Sequence, residues 1–133
     1  AAQLRPDGLL LMEETEWIHT DNGVFETYIA IIEAMLASRS NTLYVGPILD
    51  RVGETATLDR LTSHVARLSV PTSLAAKMFA LNIQTWRHQP FVRDSHPPPS
   101  IDRLERDLTD LAAESSGASD IEWGIRQLVF QRR

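Results

Sequence analysis

The sequence predicts an all-α fold, a compact right-handed bundle of about five helices followed by a C-terminal helical extension. Two stretches carry this prediction. Residues 73–88 are apolar around most of a helix and leave only a narrow polar stripe, which is typical of a helix enclosed by its neighbours. The preceding segment has apolar residues at helical spacing, namely Leu58, Leu61, Val65 and Leu68. We therefore expect residues 73–88 to form the central helix of a bundle.

Composition and charge limit the class of protein. The chain has 133 residues, the usual size of one domain, of which 43% are hydrophobic and 23% are charged. No apolar run approaches the roughly 20 residues that cross a bilayer, so we expect no membrane contact. The net charge of -5 argues against direct binding of nucleic acid, which requires a basic surface. The chain lacks cysteine, which excludes disulfides. We expect a monomer.

The N-terminal half is predicted to contain three helices. The first runs from Leu9 to His19, where a moderate apolar period is interrupted by glutamates. Residues 20–23 are short and polar, and they form a tight loop that can cap the next helix, which covers residues 24–38. A third, short helix begins at Pro47 and ends at Gly53.

The C-terminal half is predicted to contain a linker between helices. The run Pro97-Pro98-Pro99 favours an extended conformation, so residues 91–100 are interpreted as the linker. Ser100 caps the helix that follows, and a capping box at residues 119–122 starts the last helix. These signals divide the chain into a helical bundle at residues 1–90, the linker, and a helical extension at residues 101–133 that packs on the bundle.

Acidic residues near the N terminus are the candidates for chemistry, and none of them completes a site. Glu16 and His19 have the spacing of a helical di-metal site, which requires a second such pair that the sequence lacks. Glu13 and Glu16 resemble the start of an all-helical nucleotide pyrophosphohydrolase site, whose further acidic pair is missing because Glu26 and Glu33 fall on a solvent stripe. We predict no catalytic residue, no metal site and no cofactor.

A family resemblance adds to this reading. A short helix ending in glycine, a leucine ladder, a break, and an alanine- and leucine-rich helix ending in tryptophan and a basic residue resemble the N-terminal domain of transcription elongation factor TFIIS, also called the LW domain. The residues that carry the resemblance are Leu49, Val52, Gly53, Leu58, Leu61, Ala75, Ala76, Leu81, Trp86 and Arg87. The resemblance covers residues 9–88 and implies a helical bundle in a nuclear protein.

Two loops resemble those of the integrase-binding branch of that family, to which lens-epithelium-derived growth factor belongs. The chain is also similar to Iws/Spn-type elongation factors. In that branch the first loop presents an aspartate to the partner backbone, and the second makes an apolar contact. The resemblance therefore implies a partner-binding surface formed by Thr20, Asp21, Asn22, Leu68, Ser69 and Val70. Thr20 and Leu68 depart from the isoleucine and the aromatic residue of the relative, which predicts a weaker apolar contact.

The implied function is docking rather than catalysis. Family members resemble interaction modules that bind short disordered peptides of other transcription or chromatin proteins, and we expect the same of this chain, with Asp21 accepting hydrogen bonds from the peptide backbone. Asp21 could instead serve only as a helix cap. Two other functional classes stay open, a helical regulatory or nucleic-acid-associated oligomerisation domain and an all-α hydrolase with an acidic site.

Overall fold

The predicted all-α fold is wrong, because the described residues form a three-stranded antiparallel sheet and five helices. The computed structural model describes residues 4–53, 57–114 and 116–133, apart from the side chain of Val52. The chain divides into two compact units that alternate along the sequence. We call them the sheet unit (Ala1–Ile18, Tyr44–Leu68 and Trp123–Arg133) and the helical unit (His19–Leu43 and Ser69–Glu122).

The sheet has the order β1-β3-β2, so the strand that comes last in the sequence lies in the middle. The strands are β1 (Leu9–Thr20), β2 (Leu58–Val70) and β3 (Ile121–Arg132). Hydrogen bonds where β1 and β2 begin and β3 ends fix the antiparallel pairing. Asp7 N donates to Arg132 O at 3.1 Å, Arg132 N donates to Gly8 O at 2.9 Å, and Arg133 N donates to Thr57 O at 3.1 Å.

All three strands replace helices that the sequence predicted. The apolar ladder of residues 58–68 does not mark a core face, because Leu58 alone is buried and Leu61, Val65 and Leu68 are exposed. Residues 9–19 and 121–129 were also predicted as helices. Each of the three segments contains β-branched or aromatic residues that suit a pleated surface, and β3 has Gly124 in its interior, which disfavours a helix.

The core of the sheet unit lies between the sheet and helix α2 (Gly46–Val52). Leu58, Leu128 and Phe130 form its buried centre, and the partly buried side chains packed against them are those of Leu4, Leu10, Met12 and Leu49. The predicted helix stop at Gly53 is confirmed, but its φ of -67° is ordinary. Glycine is needed because a Cβ would come within 2.7 Å of Phe130 Cε1. The helix end and the sheet are therefore closely packed.

The helical unit contains four helices, and three of them confirm predicted helices. They are α1 (Gly23–Ala37), α3 (Thr72–Trp86), α4 (Pro90–Ser95) and α5 (Pro98–Ala113). Residues 91–100, predicted as a linker, hold most of α4 and the start of α5. Helix α5 begins at Pro98, with Pro97 rather than Ser100 as the cap residue. Proline suits this position, since the first helical residues have no intrahelical N–H bond to lose.

An aromatic cluster joins α1 to α3 in the core of the helical unit. The Tyr28 ring stacks on the Phe79 ring with centroids 4.1 Å apart, and the Phe25 ring meets Phe79 edge-on at 5.4 Å. Trp86 is 4% exposed, and its ring lies 5.9 Å from that of Tyr28. One face of α3 is therefore deeply buried. No helix in the described part of the chain is long and apolar enough to cross a membrane.

Candidate functional site

Five of the six predicted partner-binding residues lie in the helical unit, and a junction centred on Asp120 connects their two loops. The Thr20 hydroxyl donates to Asp120 O at 2.7 Å, and Asp120 N donates to the Thr72 hydroxyl at 2.9 Å. The Ser119 hydroxyl donates to Val70 O at 2.6 Å. The connections before α1 and before α3 are thus held beside the connection that precedes β3. We call this arrangement the Asp120 junction.

Within the first loop, Asn22 rather than Asp21 caps α1. Asn22 Oδ1 accepts from Val24 N at 3.0 Å, and Asn22 N donates to the Thr20 hydroxyl at 3.1 Å. Thr20 and Asn22 therefore have structural roles. Asp21 is exposed, so its carboxylate is accessible to a partner. In the second loop Ser69 is exposed and Val70 is half-buried. Leu68 is 53% exposed and belongs to the sheet unit.

An exposed apolar stripe on α3 is the largest departure from the predicted central helix. Leu74, Met78 and Leu81 are 58%, 44% and 63% exposed, although residues 73–88 were predicted to be enclosed. Their spacing of four and then three residues places them on one side of the helix. Buried residues occupy the other side, namely Ala75, Ala76, Phe79, Ile83 and Trp86. We call Leu74, Met78 and Leu81 the α3 stripe. The spacing was visible in the sequence, but its exposure was not.

The acidic residues considered for a hydrolase do not converge in the sheet unit. Glu16 forms an ion pair with Arg126, whose Nε donates to Glu16 Oε2 at 2.9 Å, while Glu13 accepts a hydrogen bond from Gln127. Neighbouring residues of a strand face opposite sides of the sheet, so the partners of Glu16 and Glu13 point away from each other. A spacing of three residues brings side chains together on a helix and separates them on a strand. No metal-binding group of three or more side chains occurs among the described residues.

A polar network connects α2 to the sheet. Asp50 Oδ1 accepts from the Ser63 hydroxyl at 2.6 Å and from Arg60 Nη1 at 2.9 Å, and Arg126 Nη1 lies 3.6 Å from Asp50 Oδ2. The Ser63 hydrogen bond, with the charges of Arg126 and Arg60, lowers the pKa of Asp50. The hydrogen bond from Arg126 to Glu16 raises the pKa of Arg126. These charges neutralise one another, and we interpret the network as structural.

No protein-family model matches the sequence, and no curated protein matches it. Any statement about function therefore depends on the residues and their geometry. Membership of the LW-domain family, a nuclear location and a partner in transcription stay predictions. The all-helical bundle that the resemblance implied is corrected by the three strands.

The Asp50 network gives a testable dependence of stability on pH. The folded-state pKa of Asp50 lies below the usual 3.8, so its contribution is present above that value and is lost as pH falls through the folded-state pKa. We expect Asp50→Asn to lower the free energy of unfolding at neutral pH, and the difference from wild type to shrink below about pH 4. Urea unfolding followed by circular dichroism from pH 2 to pH 7 measures this difference.

The main hydrogen bond of Asp50 supplies the control. In a Ser63→Ala background the carboxylate loses the hydroxyl that contributes most to its lowered pKa, so the acid-dependent part of the Asp50→Asn effect should become smaller. A difference between wild type and Asp50→Asn that stays constant over the whole pH range would contradict this account of the network.

Proposed function

We propose that this chain is a protein-interaction domain in which the α3 stripe binds a short peptide that is disordered when free. The observation that carries the proposal is the exposure of Leu74, Met78 and Leu81 on one side of α3. Large apolar side chains grouped at helical spacing on a surface are typical of sites that bind an apolar helix face or an extended apolar segment. The proposal keeps the predicted class of partner and moves its apolar contact from Leu68 to α3.

The energetics favour a moderate affinity. Full burial of one such side chain contributes about 1.5–3 kcal/mol, and the stripe extends over about 10 Å at a rise of about 1.5 Å per residue. The cost of ordering a flexible peptide offsets much of this gain, so we expect dissociation constants near about 1 μM. A peptide with two or three apolar residues on one side would suit the stripe.

Charge indicates which peptides would bind best. Lys77 is the only charged residue between Thr72 and Trp86, and it is exposed within the segment that carries the stripe. An acidic residue beside the apolar residues of the peptide would be attracted to it. At the start of α3, Thr72 belongs to the Asp120 junction, next to the loop that contains Asp21. Asp21 remains the candidate for hydrogen bonds from the peptide backbone.

Selection from a random peptide-display library tests the proposal. Wild-type protein is immobilised, enriched peptides are synthesised, and their affinities are measured by fluorescence anisotropy. We expect Leu81→Lys to weaken binding by about tenfold or more, because the variant places a charge in the apolar contact. Ala30→Lys is the matched control, since Ala30 is exposed on α1 in the same unit and gains the same charge. It should bind as wild type does.

Three results would contradict the proposal. One is the absence of enriched peptides, and another is equal binding to wild type and Leu81→Lys. The third is self-association of the wild type, measured by analytical ultracentrifugation, that Leu81→Lys abolishes, because the stripe would then bind a second copy of the chain.

Asp21→Asn tests the second proposed contact, in which Asp21 accepts hydrogen bonds from the peptide backbone. Binding should weaken while the melting temperature stays unchanged, since Asn22 and not Asp21 caps α1.

A further inference from the structure

A small pocket with several basic side chains lies where α3 ends and α5 begins. Its volume is about 170 Å³, and its lining residues are Arg87, His88, Arg93, His96, Pro98 and Ile101. All six residues belong to the helical unit. Short connections on either side of α4 bring them together, because Arg87 and His88 follow α3, Arg93 lies on α4, and Pro98 starts α5. The pocket is therefore built from one continuous stretch of chain.

Arg87 forms a fixed wall of this pocket. Its Nη1 donates to Glu105 Oε2 at 2.6 Å, and its Nη2 donates to Asp102 Oδ1. These bonds to α5, the one to Asp102 first, raise the pKa of Arg87. The Arg87 side chain is 19% exposed, and the carboxylates of Asp102 and Glu105 already compensate its charge. Arg87 thus shapes the pocket, while Asp102 and Glu105 are occupied by Arg87.

The other three basic side chains of the pocket differ from Arg87 in having no partner among the residues that the structure describes. Within residues 4–53, 57–114 and 116–133, the side chains of His88, Arg93 and His96 have neither an ion pair nor a hydrogen bond. Arg93 offers a fork of N–H donors, and each imidazole offers one donor when neutral and two when protonated. Three basic side chains without a protein partner in the described part of the chain therefore line one pocket of a protein whose net charge is -5.

The volume of the pocket and its apolar floor restrict which ligands fit. Ile101 is 3% exposed and, with Pro98, provides an apolar surface that does not compete for the donors. A volume of about 170 Å³ accommodates a compact tetrahedral anion. Arginine binds the oxygens of such an anion in a bidentate manner, and charge-assisted bonds of this kind are about twice as strong as neutral ones.

We propose that this pocket binds a phosphate group, with Arg93 as the principal ligand and His88 and His96 as additional donors. The site is separate from the α3 stripe, and it does not depend on the proposed peptide binding. The phosphate group could belong to a free ion or to a lipid headgroup. Both sources present the same oxygens to the three side chains, and vesicle flotation separates them.

Titration calorimetry with inorganic phosphate at constant ionic strength tests the site. We expect Arg93→Gln to weaken binding by about tenfold or more, and His96→Gln to weaken it less, because an arginine fork makes two bonds to the anion. Arg103→Gln removes the same charge from an exposed position of α5 outside the pocket and should leave phosphate binding unchanged. Circular dichroism confirms that each variant is folded.

Vesicles complete the test. Flotation with phosphatidylcholine vesicles that contain phosphatidic acid determines whether a lipid headgroup is the source, and loss of flotation in Arg93→Gln would support the same pocket. Phosphate binding without flotation supports a free phosphate. The proposal is overturned if neither probe binds the wild type, or if Arg93→Gln and Arg103→Gln weaken binding equally, since the effect would then be one of general charge.

Discussion

Replacing Trp86 by alanine is expected to lower the free energy of unfolding by about 3–5 kcal/mol, as for other large core truncations. Trp86 is 4% exposed at the end of α3, and its ring lies 5.9 Å from Tyr28, whose own ring stacks on Phe79. Truncation leaves a cavity beside the Tyr28 ring. Urea unfolding of wild type and variant, monitored by tryptophan fluorescence and circular dichroism, measures the loss.

An exposed residue of the same helix provides the matched control for Trp86. Met78 lies on the same helix and is 44% exposed, so Met78→Ala should change the free energy of unfolding by less than about 1 kcal/mol. Trp86→Phe should fall between the two because it retains a ring. If Trp86→Ala unfolds cooperatively within about 1 kcal/mol of wild type, the aromatic cluster does not hold α1 and α3 together.

Gly124→Ala is expected to lower the free energy of unfolding by about 1–3 kcal/mol, although alanine is usually tolerated better than glycine in a strand. Gly124 is buried in the central strand, and the Trp17 indole of β1 lies over it. A Cβ at Gly124 would come within 2.7 Å of Trp17 Cδ2 and closer still to Cε2 and Nε1. Arg67 of β2 lies 5.5 Å from the centre of the indole, so moving the ring also disturbs a cation–π contact.

A double-mutant cycle isolates the overlap at Gly124. In a Trp17→Leu background the methyl group has room, so Gly124→Ala should cost much less than it does in wild type. Gly23→Ala serves as the control, because a Cβ built at that glycine meets no described atom within 4 Å apart from its chain neighbours and the backbone of its own helix. Additive effects of Trp17→Leu and Gly124→Ala would show that the indole is not what requires glycine.

Local signals were sufficient for the helices other than α4, most of whose residues were predicted as a linker. The polar loop at residues 20–23, the proline at the start of α2 and the apolar pattern of residues 73–88 depend on neighbouring residues, and the corresponding helices are present. The strands depend on distant residues. Leu58 and Leu61 match a helical period, yet one is buried and the other exposed, because residues three apart on a strand face opposite sides of the sheet. Strand β2 pairs with β3, which follows it only after three helices.

The candidate site was only partly predictable, because some of its features depend on neighbouring residues and others on distant ones. Short polar residues in the loop at 20–22 and the break before α3 indicated connections, and the structure places both beside Asp120. Their proximity requires β3 to enter the sheet, which no local pattern reveals. The α3 stripe was visible as apolar residues, but an apolar residue on a helix indicates burial only if another element covers it. Leu74 and Leu81 are exposed, and no element of the part of the chain that the structure describes covers them.

The sheet order also determines how the sheet unit can assemble. Because β3 lies between β1 and β2, the two outer strands do not pair with each other, and each can form backbone hydrogen bonds in the sheet only after β3 is in place. An incomplete chain would carry two extended segments with unsatisfied backbone groups and exposed leucines at residues 9, 11 and 61. Insertion of β3 pairs the backbone groups of β1 and β2 at once, so the sheet should form in a single late step of folding. The species that precede this step should be prone to association with other chains.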